Sequence, residues 1–463
     1  MEEVYVICAF IVALYLSLNI GANDVANTVG TGIGSGAVTW KQAFAIAAVC
    51  EFLGASTFGH HVTETLQGSL VDFGPIANLD GVNILLGILC SMIATGLWLN
   101  LASWLTWPIS TTHTIVGATI GVAYVMGGSA HIQFPMFFKI SMYWIITPVI
   151  SMFLAGVIVT ALRSFLVRLE QPFKVMWVLA PILTSATILS FAAIFVSKQS
   201  MFMTHPILAM IILGLLGVLG LVLGYWFCYV EAKKPLTHYH SLPLERFQKS
   251  LEETKRYLKM MSTSSKRVQR SINARRSEVA DLSATVDQFD NTTEKVYRMN
   301  RVEHVFVSMQ WITLAMLAFG HGANDVSNAV APVKTILEHV YPSLSIGSWW
   351  LPLFGSVGII LGLMIWGWRV VGTISKNITT LTPLKAFSAE IACAMTVLTA
   401  TWLKMPVSTT HAMVGAIIGI GLATNYEKID SRLIWRIVQC WVITVPAGAI
   451  MAGVLYWCLS TVM

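Results

Sequence analysis

Charge is what this 463-residue sequence lacks. Asp, Glu, Lys and Arg together make up 11% of it, where a soluble globular protein carries about 25%. With 56% hydrophobic residues and a mean hydropathy of +0.70, the chain needs lipid as its solvent. The seven cysteines, Cys8, Cys50, Cys90, Cys228, Cys393, Cys440 and Cys458, are scattered and form no CxxC pair. That excludes a zinc ribbon or a disulfide framework, and they read as small apolar fillers. No GxxxxGK[ST] motif is present, which argues against direct ATP hydrolysis. No His/Cys cluster has zinc spacing. Neither an enzyme nor a bound cofactor is expected. The first residues, MEE followed by an apolar run, lack the positive n-region of a signal peptide, so the first helix is expected to be retained.

What is present is a series of apolar runs long enough to span a bilayer, which takes about 20 residues. Twelve stand out, near 4–29, 41–59, 82–104, 110–127, 137–162, 177–197, 206–229, 304–330, 347–372, 386–403, 408–424 and 433–458. The first, fourth, eighth and eleventh are rich in Gly, Asn, Ser and Thr, and are expected to be broken or re-entrant. One hydrophilic stretch, residues 231–302, holds 15 of the 29 Lys and Arg against nine acids. Cytoplasmic loops carry the Lys/Arg excess. If this loop is cytoplasmic, Lys41, Arg163, Arg168, Lys174, Arg369, Lys376, Lys385, Lys428, Arg432 and Arg436 fall on the same side. Only Lys139, Lys198, Lys334 and Lys404 fall opposite. Both termini then lie outside a plasma membrane, or an inner membrane in a bacterium.

The chain is also duplicated. Residues 21–29 read GANDVANTV and residues 322–330 read GANDVSNAV; residues 108–121 read PISTTHTIVGATIG and residues 406–419 read PVSTTHAMVGAIIG. The two GANDV copies sit seven spans apart, so they cross the membrane in opposite directions. The expected fold is an all-α polytopic membrane protein of about twelve transmembrane helices in two inverted-topology repeats, residues 1–162 and 303–463. Residues 163–230 connect them, and 231–302 form a cytoplasmic helical loop. Secondary transporters of this kind bind substrate near the midplane, where the repeats meet.

Asp24 and Asp325 lie in otherwise apolar spans, and an intramembrane carboxylate marks an ion or substrate path by default. With Asn27 and Asn328 nearby, the oxygen-rich set suits a hard cation such as Na⁺, or the acids could carry H⁺. Ser110-Thr111-Thr112 and Ser408-Thr409-Thr410 follow prolines and open small-residue helices, as N-caps do. Inside a membrane, such helix starts also attract anions. Two facing starts would cage a tetrahedral oxyanion, with cations on the aspartates neutralising the acids beside it. Glu51 and Glu390 lie within spans and have no acidic counterpart in the other half. His113, His321 and His411 are expected to make supporting hydrogen bonds.

These motifs strongly resemble those of the PiT family of inorganic phosphate transporters, whose signature is the paired GANDVAN-type motif with paired P-x-S-[TG]-T-H segments around a hydrophilic loop. The resemblance implies secondary active symport of phosphate with Na⁺, or with H⁺ in some members. Sulfate permeases belong to the same family, and a passive anion channel is the competing class. The resemblance further implies phosphate contacts from Asn23, Thr111, Thr112, Asn324, Thr409 and Thr410. It implies coupling-ion sites around Asp24, Ser110, Asp325 and Ser408, essential acids at Glu51 and Glu390, and a homodimer. Residues 244–302, helix-friendly and basic, read as a tether or as a regulator's docking element for a protein or lipid headgroups. They do not point to nucleic acid.

Overall fold

The computed structural model describes residues 2–66, 70–71, 81–197, 204–234, 242–261, 265–342, 350–368, 370–371, 381–424 and 431–462. Lys198, Arg369, Lys376 and Lys428 of the charge argument lie outside the described residues. Helices α1 to α7 are Glu2–Gly34, Trp40–Leu66, Gly81–Trp104, Thr111–Gly127, Phe134–Val167, Pro172–Val196 and Pro206–Lys233. Helices α8 to α13 are Leu242–Met260, Lys266–Val340, Trp350–Trp366, Pro383–Trp402, Thr409–Ala423 and Ser431–Val462. Among the described residues, nine helices are long and apolar enough to cross a membrane, and α10 and α12 are shorter apolar helices. Each of the twelve apolar runs falls on a helix among the described residues.

One expectation is corrected. The first and eighth spans are not broken: α1 and α9 continue through both GANDV motifs. The Asn and Gly residues there do not unwind their own helix because their groups are used against neighbours. α9 is a single 75-residue helix that runs from the hydrophilic stretch through the span.

The glycines show how the helices pack. In lipid, helices associate by close backbone approach at small residues rather than by the hydrophobic effect. A Cβ on Gly21 would lie 1.9 Å from the Ile359 carbonyl oxygen, and one on Gly362 1.9 Å from that of Leu18. Here α1 meets α10. The matching contact joins α2 to α9, where a Cβ on Gly322 would lie 2.1 Å from the Glu51 carbonyl oxygen and one on Gly54 2.0 Å from that of Phe319. The first helix of each half therefore packs on the second helix of the other. α1 and α9 run antiparallel where they meet: Ser35 Oγ donates to Gln310 Oε1, Gly32 abuts Leu314, and Asp24 lies beside Asp325.

α3–α4 and α11–α12 form hairpins whose turns lead through buried segments at 108–110 and 406–408 into helix starts that meet in the interior. Their tips match in backbone as well as sequence, with Thr106 and Lys404 both left-handed at φ 58° and 60°. Thr112 Oγ1 donates to the Val407 carbonyl and Thr410 Oγ1 to the Ile109 carbonyl, both at 3.1 Å, tying each tip to the other. On the hydrophilic side, α8 folds back on the start of α9. Arg276 donates to the carbonyls of Leu258, Lys259 and Met261 and so caps the end of α8.

Gly362→Ala and Gly419→Ala should each cost about 1–3 kcal/mol through overpacking, because their Cβ atoms would strike backbone at 1.9 and 2.0 Å. Gly214→Ala, with nothing within 4 Å, should be neutral. Melting of detergent-solubilised variants measures both; equal midpoints for all three would contradict the packing described.

Candidate functional site

The site is built twice. In the first half, Asn23 Nδ2 donates to Ser103 Oγ at 3.2 Å and to the Trp107 carbonyl at 3.0 Å, while its Oδ1 accepts from Ile109 N at 3.3 Å. In the second, Asn324 Nδ2 donates to Thr401 Oγ1 at 3.0 Å and to the Met405 carbonyl at 3.3 Å, and Oδ1 accepts from Val407 N at 3.4 Å. Both amides are thus committed to holding a hairpin turn against α1 or α9. In this arrangement neither is free to contact phosphate.

The prolines leave those turns at helix starts. Ser110 and Ser408 are extended N-caps whose hydroxyls accept from His113 N at 3.3 Å and His411 N at 3.2 Å. The other first-turn N–H groups have no partner within the helix. One residue on, Thr111 Oγ1 donates to Asp24 Oδ2, and Thr409 Oγ1 donates to Asp325 Oδ2 at 2.7 Å. The next threonines cross between halves: Asn27 Nδ2 donates to Thr410 Oγ1 at 2.6 Å and Asn328 Nδ2 to Thr112 Oγ1 at 3.3 Å. Thr410 Oγ1 also lies 3.4 Å from Asp24 Oδ1. Asp24, Asn27, Asp325 and Asn328 are at most 2% exposed.

Among the polar atoms left over around this cluster are two amide oxygens. Oδ1 of Asn27 and Oδ1 of Asn328 are buried without a hydrogen-bond partner. An unpartnered buried acceptor is costly, and amide oxygens beside carboxylates are what a hard cation takes. Asp24, His321 and Asp325 can each offer a ligand atom within 4.8 Å of the others. The donor set therefore fits a cation held between the halves.

His321 breaks the symmetry. Its Nδ1 lies 3.0 Å from Glu51 Oε1 and its Nε2 3.0 Å from Asp325 Oδ2. Glu51 is thereby brought into the cluster by a histidine that the first half lacks, Ile20 standing in its place. Glu390 is not brought in. Thr313 Oγ1 donates to its Oε2 at 2.5 Å, and Thr313 is 12 residues before Asp325 on α9, about 18 Å along the helix. His113 and His411 stand behind the threonines, with ring centroids 4.3 Å apart.

Sequence reasoning missed the turn-holding Ser103 and Thr401, the Thr313 partner of Glu390, and Trp144 and Trp441 beside the two histidines. All but Thr313 carry a signal. Ser103 and Thr401 are hydroxyls 298 positions apart, the register of the STTH motifs, and the two tryptophans are 297 apart. Extending the repeat alignment would have found them. Thr313, facing an acid with no counterpart, leaves none.

A cavity of about 50 Å³ between α3, α4 and α9 reaches Asn328, lined also by Ile88, Ser91, Thr119 and Thr335. A wider cleft of about 680 Å³ opens at the other end of the apolar span of α9, beside Ser35, Glu303, His304 and Thr382. The two lie on opposite sides of Asp325.

A buried cluster of acids and helix starts inside a bundle of apolar helices, with an opening towards each end, defines a multi-pass membrane transporter. The chain belongs to the phosphate transporter family, whose sequence pattern matches residues 20–452. It is 33% identical to a protein of Chlamydia pneumoniae provisionally described as a phosphate permease, over 98% of this chain and 97% of that one. It is 32% identical to the chloroplastic inorganic phosphate transporter 2-1 of Arabidopsis thaliana, over 97% of this chain and 71% of that one. A solved structure described as the sodium-dependent phosphate transporter superposes with a TM-score of 0.78 at 26% identity, covering 99% of this chain and 100% of the other. The family is one of transporters, not enzymes.

Asn23→Ala and Asn324→Ala should each leave a turn N–H, that of Ile109 or Val407, buried without an acceptor. Such an orphan costs about 1–3 kcal/mol. The expected result is a lowered melting midpoint in detergent; an unchanged midpoint would show that the turns are held by other contacts.

Proposed function

We propose that this protein is a secondary active symporter that imports inorganic phosphate with Na⁺ by alternating access. The observation that carries this reading is the meeting of two matched Asp–Asn–Thr sets at one buried point, at the starts of two helices that come from opposite halves. Helix starts supply N–H donors to an oxyanion, and the carboxylates and amide oxygens supply a cation. Each ion makes the other's site tolerable, since an anion beside uncompensated carboxylates would be repelled. Affinity for phosphate then depends on the cation, which is the coupling.

On binding, the hydroxyls of Thr111 and Thr409 turn from the aspartates to the phosphate as Na⁺ takes their place. Asn23 and Asn324 keep the tips in position. Phosphate suits the acids better than sulfate, because its protonated oxygen can donate to a carboxylate. Sodium is supported by the likeness to the sodium-dependent phosphate transporter and by the all-oxygen leftover set of Asn27 and Asn328. The cavity at Asn328 and the cleft at Glu303 are the outer and inner mouths of the path, with residues 231–302 cytoplasmic and both termini outside a plasma or bacterial inner membrane. Glu390 lies on the inner side of that path.

One observation favours H⁺ as a second reading: His321 joins Glu51 to Asp325, a chain able to carry a proton in one half only. Proteoliposome uptake of labelled phosphate distinguishes the two. Accumulation above equilibrium driven by a Na⁺ gradient is expected, and accumulation driven only by a pH gradient would replace Na⁺ with H⁺. Flux indifferent to both gradients would make the protein a channel. Asp24→Asn and Asp325→Asn should each abolish gradient-driven accumulation while the protein remains folded by size-exclusion chromatography. Wild-type accumulation in either variant would remove that aspartate from the coupling site.

A further inference from the structure

We propose that His113 and His411 are positioning residues, a ring-on-ring spacer that fixes the separation of the two helix starts and thereby the size of oxyanion the site admits. The proposal rests on the oxyanion reading above.

Four rings form a continuous column. Trp144 lies 3.8 Å from His113 between centroids, His113 lies 4.3 Å from His411 at 78°, and His411 lies 3.7 Å from Trp441 at 25°. The column repeats the architecture, because each imidazole and indole has its counterpart in the other half, and its centre is the histidine–histidine contact between α4 and α12. Both histidines are at most 4% exposed, and their rings bridge the two helix starts alongside the tip-to-tip hydrogen bonds of Thr112 and Thr410.

Position gives the column its leverage. His113 directly follows Thr112 and His411 directly follows Thr410. The backbone N–H of each histidine is the group that its cap serine accepts. Moving either ring moves a threonine whose hydroxyl reaches across to the opposite tip. The outer rings anchor the column on both halves. Trp144 comes from α5, which packs on α12, where a Cβ on Gly415 would lie 2.3 Å from the Pro148 carbonyl oxygen. Trp441 comes from α13, which packs on α4, where a Cβ on Gly117 would lie 2.4 Å from that of Val445. His411 Nδ1 also faces the Trp144 carbonyl at 3.3 Å, crossing from one half to the other. Rings in van der Waals contact within a close-packed interior resist compression, so the helix starts cannot approach more closely while the column stands.

The test compares two replacements of similar bulk, so that folding is not at stake. His411→Phe keeps a flat ring on Trp441 and against His113; His411→Leu removes it. The readouts are KM and maximal rate of phosphate uptake in proteoliposomes, and the ratio of half-inhibition by the larger oxyanion arsenate to phosphate KM. The Phe variant should hold KM within about twofold of the native protein. The Leu variant should raise KM about tenfold with maximal rate within about threefold, and should shift the arsenate ratio by about threefold or more. Phe and Leu behaving alike, or a Leu variant with both KM and the arsenate ratio unchanged, would overturn the spacer. Absence of phosphate uptake by the native protein would instead defeat the oxyanion reading itself.

Discussion

Carboxylates at bilayer depth are the constraint on which this molecule turns. Asp24 and Asp325 are buried among apolar helices, where an unsatisfied charge is intolerable. Each is answered by the second residue of an S-T-T-H segment, Thr111 or Thr409. To deliver a hydroxyl there, a helix must begin inside the protein rather than at its surface. That requirement produces the re-entrant hairpins, the cap serines, the left-handed tips at Thr106 and Lys404, and the asparagines that hold those tips down.

Duplication solves the harder half of the problem. A helix start within a membrane exposes N–H groups that no lipid can satisfy. Two such starts, arriving from opposite sides, satisfy part of each other through Thr112, Thr410 and the asparagines that cross between halves. What they leave over includes N–H groups and two amide oxygens. Among the ionisable groups, the acids Glu51 and Glu390 and the histidine His321 break the symmetry. Glu51 and His321 join one aspartate only, while Glu390 stands apart on α11.

Much of this was legible in the residues. The apolar runs, the paired motifs and their separation gave the helices, their duplication and the residues that cluster where the two halves meet, because hydropathy and repetition are linear properties of a sequence. What could not be read was how polar groups are spent. Gly and Asn in GANDV read as helix breakers by composition, yet α1 and α9 are unbroken. Gly21 and Gly322 serve close approach to another backbone, and Asn23 and Asn324 bond a hairpin about 80 residues away. The same limit applies to Glu390, whose partner Thr313 sits on a helix with no repeat relation to it. Pairings of this kind exist only after folding, and sequence signals them only when they recur in both halves, as Ser103 with Thr401 and Trp144 with Trp441 do.

The unbroken course of α9 makes the hydrophilic arm a mechanical part of the core. Residues 266–298 extend about 50 Å beyond the span at the usual helical rise, and Lys266 lies about 88 Å from Asp325, so a tilt of about 10° at the level of Asp325 becomes about 15 Å at the far end. A flexible tether would have dissipated that angle. Instead, the position of the arm's tip, with Arg276 clamping α8 to it, works as a pointer on which the inclination of a site-bearing helix is displayed outside the lipid.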